Sequence, residues 1–563
     1  MITFNLPIRS IYVSRQYSIA FFLLATAVVI QLFSVLLFAF NISISRFHFP
    51  VVLLITYLLV VYLGRHELKT LGDNIKFFAK ASIILVISLV FACQFIDFTF
   101  DGQSYHIPAM IALASGWNPL LSAHLVDWNP LFVQESGTEL FIDHYPLGSW
   151  ILAATVYKTT GLIESGKAFN IIYMFALYLI AIDFLNRICN CTSFKRYLLA
   201  GLISLNPVII CQMNTFYIDG QLAALISMAI ILSIDFLCFK TYRTAILLGL
   251  VIISLINVKM TGLVYASIIE ASIFLGLLVL RHPPWRFTGT FLTAWLIAVL
   301  IVGFHPYVSN TIQHKTPFYP IGVDIKNPLE NQEASLFLEK NRLEKLLYSL
   351  AGRKNTPLGI PELKSPLYIS KSDSWQFEGP DISFGAFGPL FLLVTLELLV
   401  ISAFVLVKER KINVFFMFGL ALILTTMAPI SELWKARYAP QLWLLPIGLI
   451  IVLFNNKQSW IRKAAQLAGL LLIINVAVIA YVNLSKSLSK SQHFSESIAL
   501  LKELNQEEES LSIYIPSRKI TYKTRLIDLE IPFKLVDAPT CSNPLTIGFP
   551  SELSMKVCKQ KTY

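Results

Sequence analysis

Long runs of apolar residues alternate with short polar segments along most of the chain. A transmembrane helix needs about 20 predominantly apolar residues, and thirteen runs approach or exceed that length. They occupy residues 17–40, 48–64, 79–97, 168–186, 197–212, 217–239, 244–258, 262–280, 288–305, 384–407, 413–429, 439–454 and 464–483. The pattern predicts an all-α, polytopic membrane protein with about 13 transmembrane helices.

Lysine and arginine residues cluster after every second apolar run, which predicts a single orientation in the membrane. Lys69 follows the second run, Arg187 the fourth and Lys240 the sixth, and Arg9 precedes the first. Cytoplasmic loops carry an excess of such residues. The N-terminus is therefore predicted to be cytoplasmic, and an odd number of spans places the C-terminus outside.

The overall composition supports a membrane location and removes one class of partner. Hydrophobic residues make up 56% of the 563 positions, charged residues make up 14%, and mean hydropathy is +0.66. A soluble globular chain carries nearer a quarter charged residues. The net charge of +11 is explained by the cytoplasmic loop ends, so the lipid bilayer is a predicted partner and nucleic acid is not.

Three predicted outside segments, 97–167, 306–383 and 484–563, are too long to be simple turns. In the first, apolar residues at helical spacing after Ser104, and again from Leu147 to Lys158, predict short helices that lie in the membrane interface. The third segment divides the chain into a transmembrane module, 1–483, and a small α/β domain, 484–563, outside the cytoplasm. That domain has a predicted helix at 491–509 and strands at Leu511–Pro516 and Ile531–Val536.

Two cysteines in the last segment are candidates for a disulfide. Cys541 and Cys558 are the only cysteines in any of the three long outside segments, and an oxidising compartment favours their pairing. Two free thiols are the alternative.

A carboxylate directly after the third apolar run is the first candidate for chemistry. Asp101 should lie at headgroup depth among aromatic residues, where partial desolvation raises the pKa of a carboxyl group and makes it a better proton acceptor. The alternative is that Asp101 only caps the helix that starts near Ser104. Local sequence does not decide between these roles.

Three cations in short outside loops run against the charge bias. They are Lys259, Lys435 and Arg437. Cations at membrane depth suggest an anionic partner at the lipid surface, and a phosphate fits. Pairing with Glu432, or a lysine that extends towards water, is the alternative.

Polar residues packed around prolines follow the run at 288–305. They are His305, Tyr307, Asn310, His314 and Tyr319. Hydroxyl, amide and aromatic groups of this kind bind sugars, and they also anchor proteins at membrane interfaces.

Together these features resemble the GT-C superfamily of membrane glycosyltransferases, which includes aminoarabinose transferases, protein O-mannosyltransferases and oligosaccharyltransferases. The segments that carry the resemblance are Asp101, Tyr105–Pro108, Asn257–Gly262, His305–Tyr307, Pro317–Pro320 and Trp434–Pro440. The resemblance implies that Asp101 is the general base and that the sugar comes from a polyprenyl-phosphate donor. Lys259, Lys435 and Arg437 are then expected to bind the phosphate of that donor. Several relatives carry paired acids at this position, whereas Gly102 follows Asp101 here.

The remaining expectations rest on the same resemblance. Substrate-binding residues are expected to be those of the polar segments above together with Tyr105, His106, Asp127, Asp143 and His144. Asp127 and Asp143 are the reserve carboxylates. The first loop has no Asp-x-Asp, so no metal or other cofactor is indicated.

The expected function is transfer of a sugar to a glycan, lipid or protein acceptor at the outer face of a bacterial inner membrane. This transfer would serve the synthesis of cell-envelope polysaccharide or glycoconjugate. A flippase or exporter of lipid-linked saccharide, and a glycan polymerase or ligase, are the alternatives.

Overall fold

A computed structural model gives the fold of most of the chain. It describes residues 15–63, 70–136, 139–283, 285–320, 336–354, 360–409, 413–507, 511–516, 518–541, 543–547 and 555–558. Arg9 and Lys69, used above for orientation, lie outside this set. Most described residues are helical, as the sequence predicts.

The chain begins with three apolar helices and then enters the first long segment. The helices are α1 (Arg15–Ala39), α2 (His48–Leu63) and α3 (Leu71–Gln94). The long segment contains a π-helical turn (Gly102–His106), α4 (Ile107–Ala114), α5 (Leu125–Trp128), α6 (Pro130–Ser136), α7 (Glu139–His144) and α8 (Gly148–Thr160). The two predicted short helices are present as α4 and α8. Every residue of α4 is buried, so α4 belongs to the protein core rather than to a lipid-facing surface.

A second group of apolar helices follows a 3₁₀ turn at Ile163–Lys167. It comprises α9 (Ala168–Ile188), α10 (Ser193–Ser204), α11 (Pro207–Gln212), α12 (Asp219–Phe239), α13 (Tyr242–Val258), α14 (Met260–Val279), α15 (Trp285–Leu296), π-helical turns at Ile297–Val302 and Phe304–Val308, and α16 (Ser309–His314). Helix α9 packs against α1 and α12, and α13 packs against α12 and α1. These four helices form the centre of the core.

The described part of the second long segment contains little regular structure. Helix α17 (Arg342–Ala351) leads into a two-stranded antiparallel sheet, β1 (Gly352–Arg353) and β2 (Glu362–Leu363), and then into a 3₁₀ helix at Lys371–Glu378. Apolar helices α18 (Phe391–Glu409), α19 (Val414–Met427) and α20 (Leu444–Phe454) follow, with 3₁₀ turns at Ala436–Tyr438 and Pro440–Trp443 before α20.

The last part of the chain combines one very long helix with a small sheet. Its elements are α21 (Ser459–Glu507), β3 (Leu511–Tyr514), α22 (Lys519–Asp528), β4 (Phe533–Leu535), β5 (Leu545–Ile547) and β6 (Met555–Cys558). The strands have the order β4-β3-β6-β5, with β3 and β4 parallel and the other pairs antiparallel. A separate hydrophobic cluster lies beneath this sheet. The predicted disulfide between Cys541 and Cys558 is confirmed.

Seven described helices are long and apolar enough to cross a membrane, and an eighth span is formed if a pair bent by 82° near Gly303 counts as one. Four shorter apolar helices accompany them. The predicted thirteen spans are therefore not confirmed. The run at 197–212 is not one continuous helix, because Pro207 disfavours the helical conformation of the residue before it and the chain breaks at Leu205 and Asn206.

The C-terminal part of the chain packs directly on the turn that carries Asp101. Arg525 of α22 donates to the carbonyl oxygen of Asp97 at 3.0 Å and pairs with Glu164 at 2.5 Å. Thr521 donates to the carbonyl oxygen of Gln103. Two segments that are more than 400 residues apart in sequence are thus held together at the candidate site.

Candidate active site

Asp101 lies where the chain leaves α3 and turns into the π-helical turn. Its side chain makes no capping hydrogen bond to that turn, so the capping role considered from sequence is not supported. A Cβ atom on Gly102 would overlap the carboxylate of Asp97. The absence of a second acid directly after Asp101 therefore has a steric reason.

The Asp97 carboxylate fixes the shape of this turn. It accepts hydrogen bonds from the backbone N–H groups of Thr99 and Phe216, each at 2.7 Å. These bonds tie the turn to the segment that precedes α12. Each carboxylate oxygen of Asp97 thus accepts a backbone N–H, whereas the Asp101 side chain is 23% exposed.

Arg437 is the centre of a charged cluster that includes Asp101. An Arg437 guanidinium nitrogen, Nη1, lies 3.9 Å from Oδ2 of Asp101 and 3.2 Å from Oδ2 of Asp219. Its Nε lies 3.0 Å from Oδ1 of Asp381. Three carboxylates from three different parts of the chain thus converge on one buried guanidinium.

The three cations predicted from sequence converge on one aromatic ring. The charged groups of Lys259, Arg437 and Lys435 lie 4.8, 5.1 and 5.5 Å from the ring centroid of Tyr438. We call Lys259, Lys435 and Arg437 the cation cluster. Cations over an aromatic face are stabilised by its quadrupole, so Tyr438 helps to hold like charges close together.

Asp219 neutralises part of the cation cluster. Its carboxylate lies 2.5 Å from Nζ of Lys259, in addition to the contact with Arg437. Glu432 was the alternative partner for these cations, but its ion pair is with Lys345 at 3.1 Å. Within the described part of the chain, Lys435 has no carboxylate partner.

The environment of Asp101 favours its protonated form more than water does. Burial raises the pKa of its carboxyl group, Arg437 lowers it, and Asp381 and Asp219 raise it. A hydrogen bond with Tyr105 also lowers it, and the net pKa lies above the ordinary value. This is the direction that suits a general base working near neutral pH.

Aromatic side chains form one wall beside Asp101. The ring of Tyr105 stacks on Phe141 at 5.4 Å and meets Tyr145 edge to face at 6.4 Å. His106 accepts a hydrogen bond from Trp150 at 2.8 Å, and burial lowers its pKa to about 3. His106 is thus a neutral, buried part of the wall rather than an open ligand.

Helix α7 leads from this wall to a polar group formed by His144, Asn310, His314 and Tyr319, which we call the histidine rim. His144 contacts Asn310 at 2.9 Å, and its ring lies 4.6 Å from Tyr319 and 5.1 Å from His314. Burial lowers the pKa of His144 to about 4. The rim therefore offers neutral hydrogen-bonding groups at neutral pH.

The other predicted site residues have structural contacts. Tyr307 donates to the carbonyl oxygen of Ile256, and His305 is buried beside Trp117. Asp143 accepts from the N–H of Leu125 at 2.9 Å, whereas Asp127 is exposed. Asp127 is not among the carboxylates that pair with Arg437.

Sequence reasoning missed Asp219 and Asp381. Asp219 lies at the start of the apolar run at 217–239, for which the pattern predicts a span and no site. A signal was nevertheless present, because Phe98-Thr-Phe-Asp-Gly-Gln103 and Phe216-Tyr-Ile-Asp-Gly-Gln221 share one pattern. Both aspartates of this pattern reach Arg437.

Comparison with known proteins gives no relative for this chain. No protein-family model, curated protein or solved structure matches it. Among the described residues, no three His, Cys, Asp or Glu side chains are grouped as metal ligands would be. The geometry of the site is therefore the basis for assigning a function.

Proposed function

We propose that the protein is a membrane glycosyltransferase that moves a sugar from a polyprenyl-phosphate donor to an acceptor at the outer face of a bacterial cytoplasmic membrane. The observation that carries the proposal is the distance of 3.9 Å between Asp101 and Arg437, beside a cluster of three cations. A proton acceptor next to an anion-binding group is what transfer from a phosphate requires. The proposal places the N-terminus in the cytoplasm and the C-terminus outside.

The reaction proceeds with inversion. Asp101 takes the proton of an acceptor hydroxyl or amine as the acceptor atom forms a bond to the anomeric carbon. The bond from that carbon to the phosphate oxygen breaks on the opposite face, and its electron pair leaves with the phosphate. A general base of this kind contributes roughly 10²–10⁴-fold to the rate.

The cation cluster stabilises the leaving phosphate. Negative charge on the phosphate grows as the bond breaks, and fixed cations lower the energy of that state more than the energy of the bound donor. Lys435 is available because no described carboxylate pairs with it. Lys259 and Arg437 are held in place by Asp219 before the donor arrives.

The test is transfer by purified Asp101→Asn from a polyprenyl-phosphate hexose in nanodiscs. We expect a fall of about 10²–10⁴-fold in the transfer rate with donor binding retained, because the side-chain volume hardly changes. Asp537→Asn is the matched control, since Asp537 is an exposed aspartate to which no role is assigned. Transfer by Asp101→Asn at the rate of the control would refute the assignment of the base.

Two of the intramembrane carboxylates, Asp183 and Asp235, do not support the exporter alternative. Asp183 and Asp235 are both paired with Arg187, at 2.5 and 2.9 Å. A transport pathway would require ionisable groups along a polar route through the spans. Both carboxylates instead pair with one arginine close to the predicted cytoplasmic side.

A further inference from the structure

A polar cavity of about 410 Å³ lies in the second long segment, beside the cluster around Arg437. Its lining includes Arg353, Asp373, Trp375, Glu378 and Asp381. Small-molecule sites have volumes of about 300–1,000 Å³, so this space is large enough for a ligand. None of the roles assigned above uses it.

Asp381 joins the cavity to the candidate active site. Its carboxylate pairs with Nε of Arg437 at 3.0 Å, and its side chain remains 44% exposed. The same residue lines the cavity. A ligand in the cavity therefore adjoins the guanidinium that also contacts Asp101.

Each carboxylate in the cavity wall has a cation outside the lining as an ion-pair partner. Asp373 pairs with Lys364 at 2.6 Å, and Glu378 pairs with Lys486 at 3.3 Å. Asp381 has Arg437 as its partner. Asp373 and Glu378 therefore have cations other than Arg353 as their partners.

Arg353 is a cation with unused binding capacity. Its guanidinium lies 4.6 Å from the ring centroid of Tyr368, and its buried Nε has no hydrogen-bond partner among the described residues. A guanidinium binds carboxylate and phosphate oxygens through paired N–H groups. Because Arg353 also lines the cavity, an anionic group on a ligand there would pair with the accessible side of this guanidinium.

Trp375 adds a surface for the apolar face of a sugar ring. Its side chain is half-buried in the wall of the cavity. Aromatic rings combine a large apolar area with a polar edge, and they lose little conformational freedom on binding. Trp375 and Arg353 together fit a polyhydroxylated ring that carries a negative charge.

We infer that this cavity is the acceptor site and that the acceptor is a saccharide with an anionic group. That the bound saccharide is the acceptor rests on the proposed function, but binding of the saccharide can be measured without transfer. Asp381 lies between the two sites, so an acceptor bound here can present a hydroxyl group towards Asp101.

The experiment compares binding of cellobiuronic acid and of cellobiose, its neutral counterpart, to the full-length protein in nanodiscs. Saturation-transfer NMR titration gives both dissociation constants. We expect the acidic sugar to bind wild type about tenfold more tightly, the lower end for a hydrogen bond to a charged group. Arg353→Gln should remove this preference, and Trp375→Leu should weaken both sugars.

Lys534→Gln is the matched control, since Lys534 is an exposed cation on the C-terminal sheet, and it should bind as wild type does. Thermal unfolding of each variant verifies that it is folded. Equal affinity of wild type for the two sugars, lack of saturable binding of both, or a preference retained in Arg353→Gln overturns the inference.

A further variant separates this inference from the proposed function. Asp101→Asn should keep the binding preference and lose transfer. If wild type shows the preference but transfers no sugar, the proposed function fails and the saccharide site stands. If transfer depends on Asp101 but Arg353→Gln leaves binding unchanged, the assignment of the cavity fails alone.

Discussion

The contact between Arg525 and the first long segment predicts that the C-terminal part of the chain holds Asp101 in place. Arg525 is 5% exposed and bridges Glu164 and the carbonyl oxygen of Asp97. Lys167 pairs with the other oxygen of Glu164 at 2.6 Å. Arg525→Met keeps most of the side-chain volume and removes only the charge and its hydrogen bonds.

The expected cost follows from what each variant leaves behind. Arg525→Met loses two charge-assisted hydrogen bonds but leaves Glu164 paired with Lys167, so we expect a loss of about 2–4 kcal/mol in the free energy of unfolding. Glu164→Gln leaves two buried cations without their carboxylate and should cost about 3–5 kcal/mol. Because the residues form one network, the double variant should show a coupling energy of about 1–3 kcal/mol.

Two measurements test this reasoning. Thermal unfolding in detergent gives the order of stability, and hydrogen exchange reports whether the amides of residues 97–103 become less protected. Lys523→Met is the control, because Lys523 lies on the same helix and makes a half-exposed pair with Glu135 at 3.5 Å; we expect a cost below about 1 kcal/mol. If Arg525→Met unfolds like this control and exchange at 97–103 is unchanged, the positioning role of Arg525 is refuted.

Three further predictions concern the turn, the base and the disulfide. Because the pKa of Asp101 is raised and the base must be ionised, the transfer rate should fall as pH falls through a value above the ordinary aspartate range; a pH-independent rate down to about pH 4 would contradict this. Gly102→Ala should lower folded yield because the methyl group overlaps Asp97, whereas Gly201→Ala, which has open space, should be tolerated; equal yields would remove the steric argument. Replacing Cys541 and Cys558 by serine should destabilise the C-terminal sheet by about 3 kcal/mol for a separation of 17 residues, measured by thermal unfolding, and an unchanged transition would show that the sheet does not depend on the bond.

The convergence of Asp101, Lys259 and Arg437 was predictable because each departs from a rule for membrane proteins. Placing an acid beside an apolar run, or cations in outside loops at membrane depth, costs desolvation free energy. Each such charge is therefore expected to have a partner. The sequence could not reveal which partner each would find. Lys259 and Arg437 share Asp219, and Glu432 pairs elsewhere.

Other features could not be read from local sequence. Asp381 lies in a long segment without periodicity, and its contact with Arg437 depends on how that segment folds back. Helix α4 has an apolar pattern that fits both a lipid surface and a protein core, and only the position of α8 makes it a core helix. Pro207 indicates a possible break in the run at 197–212, but the hydrophobicity of that run favours a single continuous span.

The recurrence of Asp-Gly-Gln gives two aspartates the same local sequence and different surroundings. Asp219 is 3% exposed and has cations at 2.5 and 3.2 Å, so its charge is committed to the cation cluster. Asp101 is 23% exposed, has its cation at 3.9 Å and has a raised pKa. Two carboxylates whose environments differ in this way take different roles. The proposed roles of counter-ion and base therefore rest on burial and on the distance to Arg437, and the motif alone does not assign them.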